Sequence, residues 1–70
     1  MQSKHYACGD GRTFMVTTSK SVAFSYLMRG LQVDVVDPAT DNEVANAPLS
    51  RVKGQFCNQW YLLSSNQEIR

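Results

Sequence analysis

The stretch from Thr18 to Val36 constrains this chain most, because its hydrophobic period changes within a few residues. The segment TSKSVAFSYLMRG has helical spacing, and LQVDVV, which follows at once, alternates between apolar and polar. Ser19 is a good N-cap, since its hydroxyl can accept from a free N–H of the first turn. Gly30 falls where a helix-stopping glycine belongs, and Arg29 suits the negative end of the helix dipole. On a helical wheel Val22, Ala23, Tyr26 and Leu27 share one face, with Ser21, Ser25 and Arg29 forming a narrow polar stripe. After Gly30, Leu31, Val33 and Val35 point one way and Gln32 and Asp34 the other, as in a half-buried strand. A short helix running straight into a strand predicts that the inward residues of the two lie against each other.

Phe24 and Met28, one turn apart, widen the apolar arc of this helix beyond the roughly 100° that a surface helix needs. Either a curved sheet or the C-terminal segment covers them, or they form a recognition surface or homodimer seam.

Upstream, Lys4 to Cys8 is predicted as a first strand. Asp10-Gly11 is a two-residue hairpin signal, because glycine tolerates the positive φ of such turns. Centred there, the hairpin pairs Ala7 with Phe14, Tyr6 with Met15 and His5 with Val16. Phe14 and Val16 are assigned to the core, which leaves Tyr6 and Met15 as a second apolar excess on the outer face. Downstream, DPATDN breaks the pattern, and Glu43 to Ala47 is predicted as a short returning strand ended by Pro48. Phe56 to Leu63 is rich in strand-favouring aromatics and is predicted as a strand, although Val52, Phe56, Trp60 and Leu63 also recur at helical spacing. Residues 64–70 are expected to fray.

The predicted architecture is α+β: a single domain over residues 1–70, with one antiparallel sheet in ββαββ(β) order and one helix across one face. The predicted core is Phe14, Val16, Val22, Ala23, Leu27, Leu31, Val33, Val35, Trp60 and Leu62. A core of this size rarely supplies more than about 3–5 kcal/mol without a disulfide, a metal or a second subunit. No apolar run approaches the ~20 residues of a membrane span. Residues 1–6 lack the long apolar segment of a signal peptide, so a cytoplasmic location is expected.

The net charge of +1 hides an uneven distribution. Residues 1–30 carry Lys4, Arg12, Lys20 and Arg29 against Asp10, and residues 31–50 carry Asp34, Asp37, Asp41 and Glu43 without a base. Residues 51–70 are basic again, with Arg51, Lys53 and Arg70 against Glu68. This suits complementarity within or between copies better than a phosphate-binding surface.

Chemistry is sparse. Cys8 and Cys57 form no CxxC pair, and His5 and Cys8, three apart on a strand, project to opposite faces, so no metal site is expected. Both thiols are expected to be free and buried. His5 has no evident base or nucleophile beside it, no GxSxG elbow surrounds a serine, and the acidic residues 34–43 lack calcium-loop spacing. Neither an enzyme nor a cofactor is expected. The function predicted is a small protein-interaction or regulatory module that self-associates through Phe24, Met28, Tyr6 and Met15, without a membrane partner. The alternative is weak nucleic-acid binding by Lys4, Tyr6, Lys53 and Tyr61, pairing bases with aromatics on a sheet face.

Overall fold

A computed structural model describes residues 4–69. Strands β1 (His5–Gly9) and β2 (Phe14–Thr17) precede helix α1 (Lys20–Met28) and strand β3 (Gln32–Ala39). Helix α2 (Asp41–Ala45) and a 3-10 turn (Leu49–Arg51) lead to strands β4 (Val52–Phe56) and β5 (Gln59–Leu63). All pairings are antiparallel and the sheet order is β2-β1-β3-β5-β4, so the α+β class and the single sheet crossed by one helix hold.

The sheet is curled, and each of its faces buries a cluster. Strand alternation sends Tyr6, Cys8 and Val35 to the face under α1, where they meet Ala23 with Met15, Tyr26, Val33 and Ile69 around them. The opposite set, Ala7, Val36 and Tyr61, lies inside the curl with Phe14, Val16, Phe56 and Leu63. The curl brings the two edge strands together. The Phe14 ring of β2 sits 6.4 Å from the Phe56 ring of β4, and Lys53 Nζ lies 5.2 Å from the Phe14 ring centre. Gly54 makes this approach possible. Its φ is +142°, and a Cβ there would lie 3.0 Å from Phe14 Cε1. Lys53 also pairs with Asp34 of β3 at 3.0 Å, which at this partial exposure adds only about 0–1 kcal/mol but fixes the position of the seam.

Two-sided burial corrects the outer-face expectation: Tyr6 is 2% exposed and belongs to the core, and Met15 packs beside it. The hairpin register differs as well, with Ala7 opposite Val16 and Gly9 opposite Phe14. A two-residue shift keeps every side chain on its expected face. The turn is longer because Asp10 Oδ1 accepts from the N–H groups of Arg12 (2.9 Å) and Thr13 (3.2 Å), which satisfies a wider loop.

Helix α1 begins at Ser19, whose hydroxyl accepts from Val22 N–H at 3.4 Å. It ends in a Schellman motif: Gly30, at φ +78°, donates to Leu27 and Leu31 donates to Tyr26, both at 3.0 Å. The helix touches the sheet along a narrower line than the wheel predicts. Ala23 is fully buried while Leu27, expected in the core, is 39% exposed.

Three further elements depart from expectation. Glu43–Ala47 is not a strand, because TDNE is a capping box: Thr40 Oγ1 accepts from Glu43 N–H and Glu43 Oε1 accepts from Thr40 N–H. Phe56–Leu63 is not one strand, because Cys57 and Asn58 both take positive φ, 52° and 64°, and close a two-residue hairpin. β3 also runs past Val36 to Ala39. Strand alternation turns the Pro38 nitrogen away from β5, so no β3–β5 bond is lost there. Among the predicted core residues, Ala23, Val35 and Leu62 are buried, whereas Phe14, Val16, Val22, Leu31, Val33 and Trp60 are half-buried. Of residues 64–70, expected to fray, Arg70 lies outside the described residues, Gln67 is bonded to Val35 and Ile69 packs on the core.

Gly54→Ala should cost about 1–3 kcal/mol, since it combines an unfavourable φ with a ring contact. Gly30→Ala, with open space around it, should cost only about 1 kcal/mol from its φ. Urea unfolding of the two variants measures the difference.

Candidate functional site

The outer face of α1 carries the largest apolar group left uncovered. Phe24 is 40% exposed, Leu27 39% and Met28 87%. At about 100° per residue these three fall within one arc, so they form a continuous ridge rather than scattered side chains. Their exposure follows from Ala23: a small residue at the contact line lets the helix lie close to the sheet on one turn, and the neighbouring face turns outward. Lys20 and Arg29 stand exposed near either end of the helix, and the Arg29 guanidinium lies 5.8 Å from the Tyr26 ring centre. Leu49, 88% exposed, projects from the 3-10 turn.

Of the interaction residues expected from sequence, the structure brings Phe24 and Met28 together and separates Tyr6 and Met15 from them. Leu27 joins the ridge in their place. Spacing alone put it in the core, and only the small side chain at Ala23 hinted that the buried stripe would be narrow.

Beside the C-terminal end of α1 lies an open cleft of about 450 Å³, lined by Cys8, Met15, Tyr26, Arg29 and Leu31 among others. A second shallow cleft of similar size, about 440 Å³, lies between the start of α2 and Trp60. No group of three or more His, Cys, Asp or Glu among the described residues is placed to hold a metal ion.

The four residues of the nucleic-acid alternative do not form a stacking platform. Tyr6 and Tyr61 are 2% and 8% exposed, so neither ring face is open to a base. Lys53 is engaged with Asp34 and the Phe14 ring, and Lys4 Nζ donates to the Glu68 carbonyl at 2.9 Å. No helix among the described residues is long and apolar enough to cross a membrane.

The two thiols are both free but differ in setting. Cys8 is 1% exposed, and burial pushes its thiol pKa up; Cys57, expected to be buried, is exposed at the tip of the β4–β5 turn. At the β1–β2 turn, the backbone bonds from Arg12 and then Thr13 hold the Asp10 carboxyl below its usual range. No known family model, curated protein sequence or solved structure matches the chain.

Thiol titration of the native protein should therefore modify Cys57 alone, with Cys8 reacting only on unfolding. The Asp10 bonds should be fully present above the ordinary carboxyl pKa of about 3.9 and be lost as pH falls through the lower folded value. Backbone amide shifts of Arg12 and Thr13 should follow that transition, and Asp10→Asn, which keeps the acceptor oxygen, should flatten it.

Proposed function

We propose that this chain is a non-enzymatic protein-interaction module that self-associates through the outer face of α1. The observation that carries this reading is the uncovered ridge of Phe24, Leu27 and Met28. Burying a large apolar side chain completely contributes about 1.5–3 kcal/mol, and Met28 has almost all of its share still to gain. Phe24 and Leu27 retain less than half of theirs. A twofold-symmetric contact uses each residue twice, so the ridge supplies several kilocalories per mole in all. Association itself costs about 4–15 kcal/mol, so the contact is weak and populated only in concentrated protein.

The basic residues near the ends of the helix give the contact a second property. When two copies meet through α1, each brings Lys20 at one end of the helix and Arg29 at the other with no acidic residue on α1 to offset them, so the like charges repel. Salt screens that repulsion, so self-association strengthens as ionic strength rises. Nucleic-acid binding would show the opposite trend.

Sedimentation equilibrium up to about 300 µM tests the reading, a range suited to such weak contacts. Self-association should be detectable, increase with salt and disappear in Met28→Asp. Leu49→Asp, at an equally exposed residue elsewhere, should leave it unchanged. A strictly monomeric wild-type chain, or association lost in Leu49→Asp and kept in Met28→Asp, overturns the assignment.

A further inference from the structure

The ladder between β3 and β5 ends in an unusual rung. Ser64 N–H donates to the Val35 carbonyl at 2.9 Å, the first bond of a regular Val35–Ser64 pair. The return bond is replaced by the side-chain carboxamide of Gln67. Its Oε1 accepts from Val35 N–H at 2.9 Å, and its Nε2 donates to the carbonyls of Ser64 and Val35, both at 2.8 Å. One side-chain amide is thus wedged between two strands in place of a direct backbone bond. Beyond it, Ile69 packs on the Tyr6–Cys8–Val35 cluster.

This segment lies over a sheet edge that no strand among the described residues covers. β1 pairs with β3 from Gln32 to Val36, but β5 pairs with it only from Val36 to Ala39. Strand alternation points the N–H and C=O of Val33 toward the same edge as those of Val35, beyond the reach of β5. The tail therefore supplies what a neighbouring strand would: a donor, an acceptor and one apolar side chain.

We propose that residues 64–69 are an exchangeable strap, and that the Val33–Val35 edge of β3 accepts the same segment from a second copy once its own has swung out. The bonds of Ser64 and Gln67 and that of Lys4 Nζ to the Glu68 carbonyl, worth about 0.5–1.5 kcal/mol each, together with the Ile69 contact, hold the strap at separate points, so it opens more readily than the sheet unfolds. Ser64 to Asn66, small and polar, provide the hinge. Opening bares both polar groups of Val35 beside an apolar hollow, which makes a template for strand addition. The occupant is specified by what the site already holds: a segment with a carboxamide and, two residues later, a branched aliphatic side chain. A second copy of this chain carries that segment with its spacing intact. Intramolecular closure has the advantage of a millimolar effective concentration, so exchange belongs to crowded protein or to a weakened latch. The exchange does not depend on the α1 ridge, and Met28→Asp should leave it intact.

Amide hydrogen exchange by NMR on the full chain carrying Gln67→Ala and Ile69→Ser tests this, with a peptide copying residues 64–70 as the probe. Val35 N–H should exchange at least ~10-fold faster in the variant, while Asp34 and Val36, whose amides face β1, stay protected. The peptide at about 1 mM should restore slow exchange at Val35, and a peptide with alanine at the glutamine position should not. Unchanged protection of Val35 in the variant overturns the proposal, because the strap then does not guard that amide. So does failure of the peptide to restore it. Loss of protection throughout the sheet would make the tail an integral part of the fold and overturns it as well.

Discussion

The structure depends on burying both faces of one sheet with a single nine-residue helix. That helix covers only the face bearing Tyr6, Cys8 and Val35. The other face has no layer above it, so the sheet must cover itself by curling until β2 and β4 meet. Phe14 resting on Gly54 and against Phe56 is the contact that allows this. The absence of a side chain at Gly54 and the presence of a large one at Phe14 are two halves of one requirement. The Lys53–Asp34 pair then uses the same geometry to bridge strands that are not neighbours in the sheet.

Curling also decides which apolar residues remain outside. A sheet that covers its own inner face does not need the helix to reach far over the outer one, and α1 settles on Ala23. Phe24, Leu27 and Met28 are left facing outward, and Ile69 from the tail fills part of the space on the outer cluster that a broader helix contact would have used. The exposed ridge and the folded-back tail follow from the same economy of coverage.

Local signals in the sequence were readable where the chemistry was local. Ser19, Gly30 and the alternation after it identified α1 and β3, because a cap, a positive-φ stop and a period change each act within a few residues. The β1–β2 hairpin was recognisable from Asp10-Gly11, though not its register, which the Asp10 carboxylate sets through bonds to Arg12 and Thr13. TDNE carried a legible capping box that the surrounding turn formers masked. Cys57-Asn58 gave no sign of a hairpin, since neither residue is the glycine such turns favour. Two residues of the ridge, Phe24 and Met28, followed from helical spacing. Leu27 did not, because its exposure depends on how closely Ala23 lets the helix approach. The curl and the Gln67 wedge were illegible for a different reason: each joins residues distant in sequence, and nothing in the local pattern announces the partner.

The seam between β2 and β4 has a kinetic meaning. In the native arrangement Phe14 and Phe56 are joined across four ladders, β2–β1, β1–β3, β3–β5 and β5–β4, so closure of the seam is expected late in assembly. Until then the two rings lie on the open flanks of an incomplete sheet, where another incomplete chain could pair with them. High sequence separation makes such closures slow relative to helical folds. An open seam is therefore the form of this small protein most exposed to misassembly, and Gly54, with no side chain to meet the Phe14 ring, leaves its closure unobstructed.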